Sequence, residues 1–151
     1  MLNYVINSLH TQLRFTNTMS SLKYIFLVDD DTDDQELFIE ALSGVENVSL
    51  FGAANTCTEA LKTLKSCSLL PDFIFLDYNM PAMNGIECLC EIIKNPRTKN
   101  IPVVMLSSAF EQEELAHKRG AKGFIKKTSD IPGLKTVLNQ IINSGVTINY
   151  I

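Results

Sequence analysis

Four short apolar runs, each bounded by polar or turn-forming residues, read as buried strands: Tyr24–Val28, Phe73–Leu76, Val103–Leu106 and Gly123–Lys126. A weaker run, Val48–Phe51, comes second in chain order. Between the runs the apolar residues recur at helical spacing. Leu37, Phe38, Ala41 and Leu42 form one stripe, stopped by Ser43-Gly44. Ala60, Leu61 and Leu64 form a second, and Ile86, Leu89, Ile92 and Ile93 a third, ended by Asn95-Pro96. Leu115 and Ala116 mark a short fourth before Gly120, and Leu134, Val137, Leu138, Ile141 and Ile142 a fifth. Five β-α units in succession predict an α/β domain, a parallel sheet with helices on both faces.

That domain spans about residues 22–144, which leaves an extension at 1–21 and a tail at 145–151. The extension carries no motif, and Met19 directly precedes Ser20-Ser21-Leu22 and the first strand. It reads either as an unstructured segment upstream of a usual start at Met19, or as a docking helix using Leu2, Ile6, Leu9 and Leu13.

At 46% apolar residues the chain suits a compact fold, and a net charge of −4 gives no electrostatic footprint for nucleic acid. No apolar run is long enough to span a membrane or to form a signal-peptide core. None of the four cysteines, Cys57, Cys67, Cys88 and Cys90, forms a CxxC pair or has a histidine near enough to suggest zinc. Cys88 and Cys90 point to different sides of a helix and cannot easily bridge. All four are expected to be reduced packing residues of a cytoplasmic protein.

The acid is unevenly placed: five of the seventeen acidic residues fall between Asp29 and Asp34. In a parallel α/β sheet functional groups gather at the carboxyl ends of the strands. Here the first strand runs into Asp29, Asp30 and Asp31, the third into Asp77, the fourth into Ser107 and the fifth into Lys127. Carboxylates about 4 Å apart repel by roughly 4 kcal/mol per pair at an effective dielectric near 20. A hard divalent cation such as Mg²⁺ relieves that repulsion with oxygen ligands. Asp77 can then act as a nucleophile towards phosphorus, with Lys127 and the Ser107 hydroxyl meeting the phosphoryl oxygens. Asp29–Asp31 could instead simply cap the first helix, although one acid suffices for that.

Three segments carry a family resemblance: Ile25–Asp31 (IFLVDDD), Phe75–Gly85 (FLDYNMPAMNG) and Gly120–Lys127 (GAKGFIKK). Together they resemble the signature of CheY-like response regulator receivers, over Leu22 to about Ser144. The resemblance implies a doubly wound, flavodoxin-like sheet of order 2-1-3-4-5. It implies Asp77 as phosphoacceptor, Mg²⁺ held by Asp29, Asp30, Asp77 and the Asn79 backbone carbonyl, Ser107 as switch hydroxyl, and Lys127 on the phosphate. It implies a sensor histidine kinase or histidine phosphotransfer protein as donor and an unidentified protein as downstream partner, while the charge and hydropathy above argue against nucleic acid and membrane as partners. Such a protein is no enzyme beyond catalysing its own phosphoryl transfer and dephosphorylation. The extra acids Asp31, Asp33 and Asp34 resemble small receivers that work with phytochrome-type or hybrid kinases.

Four positions depart from the family pattern. Thr128 replaces the usual proline after the lysine, Phe124 holds the aromatic switch position without a hydroxyl, and Ser108 stands where alanine is common. The stretch from Ser107 to Gly120 is short, which predicts a short fourth helix. A non-proline cis bond costs about 2.5–4 kcal/mol, so Lys127-Thr128 is expected to be trans with the lysine still reaching Asp77. Two other function classes compete with the phosphoaccepting switch. One is a receiver-fold interaction module that works without phosphate, against which the Asp77, Ser107 and Lys127 set argues. The other is a metal-dependent phosphatase of related fold, which needs an aspartate where Asn79 stands.

Overall fold

A computed structural model describes residues 21–144. Both readings of the amino-terminal extension, and the carboxyl-terminal tail, lie outside these residues.

The chain alternates strand and helix throughout: β1 Lys23–Val28, α1 Thr32–Ser43, β2 Val48–Ala54, α2 Cys57–Ser66, β3 Phe73–Asp77, α3 Gly85–Lys94, β4 Val103–Ser107, α4 Glu113–Lys118, β5 Gly123–Lys126 and α5 Ile131–Ser144. A 3₁₀ turn at Phe110–Gln112 leads into α4, which has only six residues, as the short segment predicted. Local chemistry starts the helices where the sequence signals them. The Asp31 carboxylate accepts from the Asp33 and Asp34 backbone N–H groups, and Thr56 accepts from Glu59. Asn84 and Glu87 form a reciprocal capping box, and α3 ends at Asn95 before Pro96.

All four strand pairings are parallel, in the order β2-β1-β3-β4-β5, with the register slipping by one residue between Ile25 and Phe26 on β1. Strand side chains alternate between faces, so each strand serves two cores. Ile25, Leu27, Phe75, Val104, Leu106 and Ile125 pack against α1 and α5 through Phe38, Leu42, Leu134 and Leu138. Phe26, Val28, Ile74, Leu76, Met105 and Phe124 pack against α2, α3 and α4 through Leu64, Leu89, Ile92 and Ala116. Among the described residues no helix is long and apolar enough to cross a membrane.

The structure corrects the expectation that every cysteine is a reduced packing residue. Cys57, in the first turn of α2, is disulfide-bonded to Cys88 on α3, while Cys67 and Cys90 are free thiols. The two partners are 31 residues apart, and only the side-by-side packing of α2 and α3 brings them together, which local spacing does not reveal. The described residues contain no cis peptide bond, so Lys127-Thr128 is trans as expected.

Candidate functional site

Register assembles the site. Val28 on β1 pairs with Leu76 on β3, so the residues that follow, Asp29 and Asp77, emerge side by side at the carboxyl edge. Ser107 ends β4 opposite Lys126, and Lys127 follows one residue later, its N–H donating to the Ser107 carbonyl at 2.8 Å. Beyond Asp77 the chain folds back sharply. The Gly85 N–H donates to the Tyr78 carbonyl, and a Cβ on Gly85 would lie 2.3 Å from the Asp77 carbonyl oxygen. Only glycine permits that approach, which returns the chain after residues 78–84 to the end of β3.

Three carboxylates converge. Asp29, Asp30 and Asp77 each place an oxygen within 4.8 Å of the other two, with Asp29 and Asp77 buried and Asp30 exposed. The Lys127 ammonium lies 2.8 Å from Asp29 Oδ2, 3.1 Å from Asp77 Oδ1 and 2.7 Å from Asp34 Oδ2. Asp77 Oδ1 also accepts from the Asn79 backbone N–H at 3.3 Å. Burial, reinforced by the charge of Asp29, pushes Asp77 up to about 6 despite the neighbouring ammonium. Burial raises Asp29 as well, against hydrogen bonds from Lys127 and the Asp31 N–H. For Lys127 burial opposes the charge, but the hydrogen bonds to Asp29 and Asp34 and the charges of Asp77 and Asp29 prevail and hold it above the usual lysine range. Two buried carboxylates that resist ionising together, beside an exposed third, form the kind of oxygen cluster a hard divalent cation occupies.

Ser107 reaches the same edge but is bonded elsewhere. Its hydroxyl donates to Gln112 Oε1 at 2.6 Å and accepts from the Ala109 N–H, which ties the end of β4 to the 3₁₀ turn. Phe124 is buried, 6.5 Å from the Phe110 ring, whose face carries the Lys126 ammonium. Asp31 caps α1, so the capping reading holds for this one acid of the run.

Three contributors escaped the sequence reading. Asp34 binds Lys127 across 93 residues. Gln35 Nε2 donates to the Asp29 carbonyl and to Asn55 Oδ1, joining the ends of β1 and β2. Gln112 takes the Ser107 hydroxyl. A signal for Asp34 does exist in the sequence. One turn before Phe38, it stands on the buried stripe of α1, where a charged residue needs a partner.

A family-wide sequence profile described as the response regulator receiver domain matches residues 25–139. The nitrate/nitrite response regulator protein NarL of Escherichia coli K12 is 31% identical over 116 residues, 77% of this chain and 53% of that protein. The chain thus spans about half of that relative's length. Among solved structures, the phosphorylated cyanobacterial phytochrome response regulator RcpA is 29% identical with a TM-score of 0.71, covering 80% of this chain and 91% of that one. The Mn²⁺-bound form of response regulator Rcp1 is 28% identical with a TM-score of 0.67, covering 79% and 91%.

Proposed function

Because this chain belongs to the response regulator receiver domain family, we propose that it takes a phosphoryl group from a phosphohistidine donor onto Asp77 and signals by the change that follows. The donor is a sensor histidine kinase or a histidine phosphotransfer protein, and the phytochrome response regulators among its structural neighbours favour a phytochrome-type kinase. Output passes to a downstream protein in the cytoplasm.

The observation that carries this reading is the setting of Asp77: a buried carboxylate at the end of β3, grouped with two more acids and touched by one ammonium. An Asp77 oxygen attacks phosphorus, the histidine nitrogen leaves with its electron pair, and Asp77 becomes an acyl phosphate. Lys127 donates to the developing charge on the phosphoryl oxygens. Ser107 supplies a second donor once its hydroxyl turns from Gln112. Asp29, Asp30, Asp77 and the Asn79 carbonyl are the groups that would hold Mg²⁺, and the raised Asp77 and Asp29 suit them to it. When bound, the ion neutralises the crowded carboxylates and the phosphoryl charge.

Incubation with acetyl phosphate and Mg²⁺ should add one phosphoryl group by intact mass, and hydroxylamine should remove it. Asp77→Asn should abolish the gain, and Asp30→Ala should lose most of it along with Mg²⁺ affinity. Undiminished labelling of Asp77→Asn would overturn the assignment, and a wild-type protein that takes no phosphate would favour a phosphate-independent interaction module.

A further inference from the structure

The Lys127 ammonium has three N–H donors, and the structure gives it three carboxylates. Two of these, Asp29 and Asp77, also belong to the oxygen cluster suited to a cation; Asp34 does not. Its contact is nevertheless the shortest of the three, at 2.7 Å. Resting on the phosphoacceptor reading above, we infer that Asp34 is a positioning residue: it holds Lys127 in place while the lysine's other two partners change.

Those two partners must change in the proposed reaction. Asp77 becomes an acyl phosphate, and the negative charge moves to the phosphoryl oxygens. Asp29 would turn its oxygens to the cation. A lysine anchored only by these two would lose its orientation as the phosphoryl group arrives, because its four-carbon stem is flexible. Asp34 takes part in neither change. It is fixed in the first turn of α1, its own N–H held by the Asp31 cap.

The surroundings strengthen the anchor. Asp34 and Lys127 flank a small cleft whose other walls include Leu37, Phe38, Leu106, Ile125 and Leu134. Apolar walls lower the local dielectric and make the pair stronger than one in open solvent. The side chains are 37% and 20% exposed, which places the pair between the surface and buried cases.

The test compares wild type, Asp34→Asn and Asp34→Glu, each alone and with Lys127→Met, at saturating Mg²⁺ with acetyl phosphate as donor. Asp34→Asn should slow phosphorylation of Asp77 about ten-fold, the loss expected for one hydrogen bond between charged groups. Asp34→Glu should recover to within about three-fold of wild type, since the charge is kept and only the reach differs. With Lys127→Met in place, Asp34→Asn should have no further effect, because the two act through one contact. In parallel, the Lys127 ammonium resonance of the metal-free protein should broaden or shift in Asp34→Asn. Equal rates for wild type and Asp34→Asn, or the same loss with and without Lys127, would overturn the inference. If wild type takes no phosphate, the phosphoacceptor reading fails, and an unchanged Lys127 resonance would then overturn the anchor as well.

Discussion

Ionised Asp77 is held in its buried position at the expense of the fold. Its carboxyl is raised from 3.8 to about 6, first by burial and then by Asp29, with Lys127 only partly compensating. A folded value above the unfolded one means the native state binds the proton more tightly. Stability therefore falls as pH rises from about 4 to about 6 and then levels off, by on the order of 2–3 kcal/mol for this group. Asp77→Asn removes the penalty. In metal-free buffer the variant should be more stable than wild type at pH 7, and the gap should shrink towards pH 4. Mg²⁺ should narrow the gap at pH 7 by relieving the same repulsion. Urea midpoints at the two pH values, with and without the ion, measure this directly. A wild-type protein as stable as the variant at pH 7 would mean that Lys127 fully offsets the burial. The difference between acids follows from position: Asp31, two residues beyond Asp29, is spent on the cap of α1, whereas Asp29 is turned into the protein.

At the scale of elements, the bond between Cys57 and Cys88 clamps the first turn of α2 to the first turn of α3. α3 opens at Gly85, against the Asp77 backbone, so the clamp also braces the helix behind the Asp77 loop. Closing a loop of 31 residues removes unfolded-state entropy worth about 3–4 kcal/mol. Protein purified without reductant should show two titratable thiols in denaturant, and reduction or Cys57→Ala with Cys88→Ala should lower Tm by several degrees. Four thiols would show that the pair is reduced, as sequence reasoning held. The helices and strands themselves were largely legible, because each has a periodic apolar face and a cap that can be read locally. β2 was read short, ending at Phe51 instead of Ala54. Gly52-Ala53-Ala54 have little strand preference of their own and are extended because they pair with Phe26, Leu27 and Val28. Asp29, Asp77 and Lys127 could be placed at one edge because each ends or directly follows a strand. The disulfide, Gln35 and Gln112 could not be read, since their partners are chosen by packing or by loop conformation.

Across the whole molecule the sheet order has a consequence for how the protein comes to be folded. β1 lies between β2 and β3, so the first strand made needs two neighbours that are both made later. The segment from Lys23 to Asp77 contains all three, whereas β4 and β5 each add to an edge already present. Ile25 pairs with Phe73 across 48 residues and Val104 with Gly123 across only 19. Loop-closure cost grows slowly with length, by about 0.8 kcal/mol over that range, so burial decides the order. Seven of the twelve largest fully buried side chains lie on β1 and β3. Folding should therefore nucleate on β1 and β3 and finish with β5. In pulse-labelling hydrogen exchange, the amides of Leu27 and Phe75 should gain protection before that of Ile125. Phe75→Leu should slow folding, while Ile125→Val should mainly speed unfolding. Simultaneous protection of all three strands would rule this order out. Because Lys127 follows β5, its charge would reach the acids only in the last step of folding. Until then the nascent carboxylates repel one another unrelieved, and the acid cluster with its lysine would be the last part of the fold to mature.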